Sequence, residues 1–280
     1  MAYPTVSAPY GLDPINLIGG QVFAGSTREL PIQYAYGTNI FNGDVVKVSR
    51  GFVTRATVDT GTGVNQVTGV FLGCAYTNPT TKQRQFSQYW PADTQAGDAV
   101  AYVCDDPDAV FKAAVCSSGT TMASGALALI GTNLGMVNNT GSVNTGNSAN
   151  AVLAPSDTPV STILQVRCVG VVPDTSYSFT ATGSSSGATI TLTGSGTPQA
   201  IPVGTNVAYV ASNGQLIQTS SFVDTAAAAG DTSVILNAAI AVPGSVTAIP
   251  SSSTVVFTVY PEILVKVNLL VHGYYSSATA

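Results

Sequence analysis

The chain has 280 residues, of which 45% are hydrophobic and only 8% charged, with nine Lys and Arg against fourteen Asp and Glu and a formal net charge of −5. That length holds one large or two modest domains with a real core, and the hydrophobic share argues against wholesale disorder. So few cations leave no basic surface to neutralise a phosphate backbone, which argues against nucleic-acid binding.

Twenty-eight Gly and fifteen Pro, in a background rich in Ser and Thr, predict many short strands joined by turns. No charged segment precedes an apolar one at the N-terminus, so no signal peptide is expected. The longest weakly apolar run, 123–130, is too short to cross a bilayer, and no membrane partner is expected.

Residues 1–20 carry Pro4, Pro9 and Pro14, which block helix and favour extended backbone. The same stretch holds Tyr3, Val6, Tyr10, Leu12, Ile15, Leu17 and Ile18, too apolar for a solvated tail. Two readings stand: an extended arm laid along a partner, or a first edge strand packed on its own domain.

Between 21 and 58 the pattern is short strands and turns. Residues 30–36 alternate weakly and end at Gly37. Asn42-Gly43-Asp44 is a tight turn opening the strand 45–48, with 50–56 as its hairpin partner. Lys47, Arg50 and Arg55 are explained by a small solvated face. The run 67–76 (VTGVFLGCAY) reads as a buried strand, and Gly69 and Gly73 within it predict a bulge or close backbone approach. After a polar loop, 86–91 (FSQYWP) reads as an aromatic strand closing a small barrel, with an interface anchor around Trp90 as the alternative.

Residues 98–115 (DAVAYVCDDPDAVFKAAV) hold two β-prone runs joined by Asp105-Asp106-Pro107-Asp108-Ala109, where Pro107 fixes φ and Asp106 can bond back to the backbone. A hairpin is expected. In its first strand Val100, Tyr102 and Cys104 share one face, while Ala99, Ala101 and Val103 share the other. A strand apolar on both faces is covered on both, by its own domain or by a neighbouring subunit.

Residues 124–130 fit a helical turn or a buried strand. The polar, repetitive 138–150 reads as a surface loop, and 160–172 as a strand ending at Pro173. From 174 to 254 the composition changes: no Lys or Arg occurs between Arg167 and Lys266. Alternation recurs at 188–192 and 233–236, and Asn213-Gly214 marks a hairpin. A small β-sandwich-like domain is expected here. The apolar stretch from 255 resembles the first half again, so this domain is read as inserted, with 255–280 rejoining 21–173. The fold class is therefore all-β: a β-barrel-like N-terminal domain with an extended arm at 1–20, plus a small sandwich-like domain inserted before the last strand.

Chemistry-bearing motifs are scarce. Cys74, Cys104, Cys116 and Cys168 each sit in an apolar run at no CxxC spacing, which reads as buried free thiols from a reducing cytoplasm. His272 is the sole histidine, so a catalytic triad or zinc site would have to use it, and no nucleotide, zinc-protease or nucleophile-elbow motif occurs. Asp105, Asp106 and Asp108 are the sharpest acidic cluster. They lack the glycine and glutamate of a calcium-binding hand and read as turn-forming acids. No catalytic residue, metal or cofactor is expected.

Several stretches together resemble a known family. They are NLIGGQVFAGSTRELPI (16–32), YGTNIFNGDVVKV (36–48), GVFLGCAYTNP (69–79), FSQYWPA (86–92) and VAYVCDDPDAVFKAAV (100–115), with YPEILVKVNLLVHGYY (260–275) more loosely. The set is similar to capsid decoration, or cement, proteins of tailed bacteriophages of the marine and cyanobacterial type. The resemblance implies a non-enzymatic virion protein, made in the bacterial host cytoplasm and seated on the capsid exterior. There it would bind the major capsid protein and link neighbouring capsomers, commonly as a homotrimer. On that reading the apolar residues of the arm meet the shell, and Val100, Tyr102, Val103, Phe111 and Trp90 form a trimer or domain interface. The 174–254 domain would project outward. The alternative is a tail- or fibre-associated adhesion protein binding host glycans.

Overall fold

The computed structural model describes residues 6–17, 20, 22–57, 66–154, 164–240 and 248–273. Among these the fold is almost entirely β, and the helical elements are two single 3₁₀ turns, Leu127–Leu129 and Pro173–Thr175. The first of these resolves the ambiguity at 124–130 in favour of a helical turn.

Two large sheets and a two-stranded ribbon build the first domain. One is a five-stranded path, Arg28–Pro31, Val100–Cys104, Gly69–Thr77, Val45–Ser49, Phe52–Arg55, with Arg84–Ser87 added on Gly69–Thr77. Its ends approach each other, because Ile32 bridges Val53 next to the two terminal strands. The sheet thus curls around an interior of Ile40, Val46, Phe71, Tyr76, Trp90 and Val103. Trp90 is fully buried there, edge-on to Tyr76 with ring centroids 5.4 Å apart, and its indole N–H donates to the Tyr36 carbonyl at 3.2 Å. The Tyr89–Trp90 strand pairs with Ile40–Phe41 in a separate two-stranded ribbon, so the expected aromatic strand at 86–91 does not close the barrel but divides between this ribbon and an edge strand on Gly69–Thr77. Each fully buried side chain of this size contributes roughly 1.5–3 kcal/mol.

The second sheet is organised around the ten-residue strand Ala109–Ser118. Its first half lies between Leu12–Leu17 and Glu262–Val267, and its second half between Thr121–Met122 and Ala151–Leu153. Leu12, Phe111, Val115, Val265 and Met136 meet Val45, Val70 and Cys104 from the curled sheet, and Val67 just before it, in the domain's largest core. Two glycines near this core show close backbone approach. A Cβ on Gly69 would lie 2.3 Å from the Cys104 carbonyl oxygen, and one on Gly11, whose φ is +90°, would lie 2.7 Å from that of Gly43.

The inserted domain is one antiparallel sheet, ordered Leu216–Phe222, Asn206–Val210, Ser253–Val259, Tyr177–Ser186, Thr189–Leu192, Ser233–Ile235. A Val223–Leu236 bridge joins its ends, so the sandwich-like layers are two halves of one curled sheet facing across Phe179, Ile190, Tyr209, Val255 and Phe257. The Asn213-Gly214 hairpin forms as expected, with Gly214 at φ +80°.

Four further expectations need correction. Val100–Cys104 and Ala109–Ser118 do not form a hairpin; each pairs within a different sheet, and 105–108 is the corner between them. The strand from 255 does not return directly, since Ser253–Val259 completes the inserted sheet and only Glu262–Val267 rejoins the first domain. The expected strand at 30–36 stops early, because the chain turns through Ala35 at φ 52°. Within 138–150, Gly146, Ser148 and Asn150 are buried, so the second half of that loop packs inward.

Candidate partner-binding surface

The strand Val100–Cys104 turns Ala101 and Val103 into the barrel, while Val100 and Tyr102 look outward and stay half-buried. A bulge in Gly69–Thr77 falls between Phe71 and Gly73, so Tyr102 stands opposite a glycine with φ +142°. On the next strand Phe86, opposite Ala75, stacks on Tyr102 with centroids 6.5 Å apart and planes 19° off parallel. Phe86 is 75% exposed. Glu29 and Pro31 flank the pair from Arg28–Pro31, in register with Tyr102 and Val100. At the far margin Arg84 lies 3.9 Å from Asp98, whose carboxylate accepts the Thr77 hydroxyl at 2.6 Å. The face thus presents an aromatic centre beside charged side chains.

The other interface candidates are placed elsewhere. Val103, Phe111 and Trp90 are each at most 1% exposed, packed inside this chain's own cores rather than on a face open to another subunit. Their large apolar side chains fall on inward positions of the strand period, which the sequence alone left open.

The arm likewise is committed to its own domain over Leu12–Leu17, where it pairs antiparallel with Ala109–Ser118 and buries Leu12 completely. Ile15 and Leu17 are half-buried on that edge. Tyr10 donates its hydroxyl to Glu262 Oε1 at 2.6 Å, and Lys112 Nζ lies 3.6 Å from the same oxygen and 5.6 Å from the Tyr10 ring centroid. Val6 lines a cleft between the two domains. Tyr3 and Ile18 lie outside the described residues.

The acidic corner disperses. Asp105 pairs with Arg28 at 2.7 Å, Asp108 with Lys266 at 3.2 Å, and Asp106 accepts the Asp108 amide at 2.8 Å. Among the described residues no group of three His, Cys, Asp or Glu converges as a metal site would require. His272 is buried, and burial pulls its imidazole below the ordinary value against the Asp105 carbonyl and charge, which push it up. All four cysteines are buried and unpaired. Burial pushes the Cys74 thiol up to about 12 and those of Cys104 and Cys168 to about 11, far from nucleophilic at neutral pH.

One polar cluster has no counterpart in the sequence reading. Asp44 is fully buried, accepting the Phe41 amide at 3.0 Å and the Ser148 hydroxyl at 2.6 Å, with Arg55 Nε 2.9 Å from its Oδ2. The Arg55 guanidinium also donates to the Asn139 carbonyl and to Asn150 Oδ1. Burial raises the Asp44 carboxyl above its ordinary range, and Arg55 opposes that shift. Arg55 is therefore no member of a solvated face. The signal available in sequence was the register of the 45–55 hairpin, which sets Arg55 opposite the buried Val46.

Comparisons with protein-family models, with curated proteins and with solved structures find no match to this chain.

Proposed function

We propose that the chain is a structural virion protein that clads the exterior of an assembled phage head, binds its major capsid protein and links neighbouring capsomers. The sequence resemblance supplies that class. The observation that carries a binding role is the exposed Phe86 stacked on the half-buried, outward-facing Tyr102 of the same sheet. Large rigid aromatics at such a position give much contact area at small entropic cost and dominate interface energies. A homotrimer adds avidity from three such faces. The Lys- and Arg-free inserted barrel then faces away from the shell. Buried thiols of raised pKa and a dispersed acidic corner fit a non-enzymatic role.

Glycan adhesion is the weaker reading, because Phe179 and Tyr209 of the inserted barrel are core residues and leave only Tyr177 and Phe222 partly accessible. The deciding experiment is co-sedimentation of the purified protein with undecorated phage heads. Wild type is expected to pellet with heads, and F86A/Y102A to stay in the supernatant while keeping its melting temperature. Failure of wild type to pellet, or undiminished pelleting by the variant, removes this reading of the face.

A further inference from the structure

A cleft of about 690 Å³ lies where the inserted barrel meets the first domain, within the range of roughly 300–1,000 Å³ typical of small-molecule sites. Its first-domain wall includes Met122, Ala123, Ala154 and Pro261, and its inserted-domain wall includes Ala200, Ile201, Pro202 and Ala226. The space is open because alanines stand where leucine or phenylalanine would fill it. Pro202 and Pro261 stiffen the two walls.

The described part of the lining is neutral. Among the described residues it contains no Asp, Glu, Lys, Arg or His. Its polar groups are a few hydroxyls and one neutral pair, in which Gln199 Nε2 donates to Tyr177 Oη at 3.2 Å. Water in such a space finds few partners, and an apolar body displaces it favourably. A charged group entering would lose its hydration without meeting a counter-ion, whereas a hydroxyl, ester or amide can share the Gln199–Tyr177 bond.

We propose that this cleft is a binding site for a neutral amphiphile, an alkyl or ring body carrying one uncharged polar head. The site is independent of the Phe86–Tyr102 face, which lies on a different sheet.

The test uses the full chain with the neutral fluorescent dye Nile red, displaced in turn by decanol, decanoate and decyltrimethylammonium. Saturable dye binding is expected, with decanol displacing it at concentrations about tenfold or more below either charged analogue. Ala200 and Ala226 are solvent-exposed at the rim, so A200W and A226W fill the cleft without entering a core. Each variant that keeps the wild-type circular dichroism and melting temperature is expected to lose the dye. Absence of saturable binding to wild type, equal displacement by all three amphiphiles, or wild-type binding by folded A200W or A226W overturns the proposal.

Discussion

Arg55 reaches across the Asn42-Gly43-Asp44 turn to lie against Asp44, eleven residues before it, and joins that buried carboxylate to Asn139 and Asn150 of a distant loop. Ser148 from the same loop donates to Asp44 Oδ1, which also accepts from Arg55 Nη2, and the Asn150 carbonyl accepts the Gly11 amide at 3.0 Å. The pair thus fastens three segments remote in sequence: the arm, the first hairpin and the 138–150 loop. Such a pair adds little net stability relative to an apolar substitute, but breaking it strands a charge in the interior.

The first prediction follows from that asymmetry. Asp44→Ala leaves the guanidinium without its carboxylate and is expected to destabilise the fold by about 3–5 kcal/mol. Urea denaturation of D44A, R55A and the double variant measures this. The double variant should lose less than the two single losses added together. Additive losses would mean that the two residues stabilise the fold separately.

His272 sets an acid limit. Burial lowers its pKa in the fold below the ordinary imidazole value of 6.5, so the folded state prefers the neutral ring. Stability from this group is complete above that unfolded value and is lost as pH falls through it toward the folded pKa, because the unfolded chain takes up the proton first. Thermal melts from about pH 7.5 to about pH 5 should show a falling midpoint for wild type and a flatter profile for His272→Asn. Parallel profiles would assign the acid sensitivity to other groups.

Tyr10 anchors the arm through a charge-assisted bond. Tyr10→Phe keeps the ring beside Lys112 and removes only the donor to Glu262, at an expected cost of about 1.5–3 kcal/mol. Chemical denaturation reads the loss directly. An unchanged midpoint would mean that strand pairing with Ala109–Ser118 alone holds the arm.

The thiols provide a clock for opening. Four cysteines buried with raised pKa values should be silent to a thiol-specific disulfide reagent in the native protein and should all react in denaturant. Rapid labelling of one thiol in native buffer would locate a segment that opens locally.

What the sequence disclosed and what it withheld divide along a physical line. Features set by one or two neighbouring residues were legible. Gly73 marked a bulge, Asn213-Gly214 a hairpin, and the alternation of Val100 to Val103 two distinct strand faces. Features set by which strand pairs with which were not. A turn at 105–108 looks the same whether its flanking strands pair together or enter separate sheets, and only the partners Gly69–Thr77 and Glu262–Val267 decide it. The inserted barrel's end was misplaced for a similar reason. Residues 255–259 are as apolar as those after Pro261, and nothing local says that they pair with Tyr177–Ser186. Arg55 was the hardest to see, since a cation normally signals solvent and its carboxylate partner is itself hidden.

The two crossings between domains have a consequence for how this molecule can be rebuilt. Val171 and Ile263 are paired neighbours at the top of the first domain, and Tyr177 and Val259 are paired neighbours at the base of the inserted one. The chain therefore leaves and re-enters through adjacent openings, like a plug with two pins. Excising the barrel asks the first domain to bridge only the spacing of two hydrogen-bonded strands, which a short turn does. Any other module whose ends lie side by side fits the same socket, so the inserted sheet is exchangeable without rerouting the strands of the first domain.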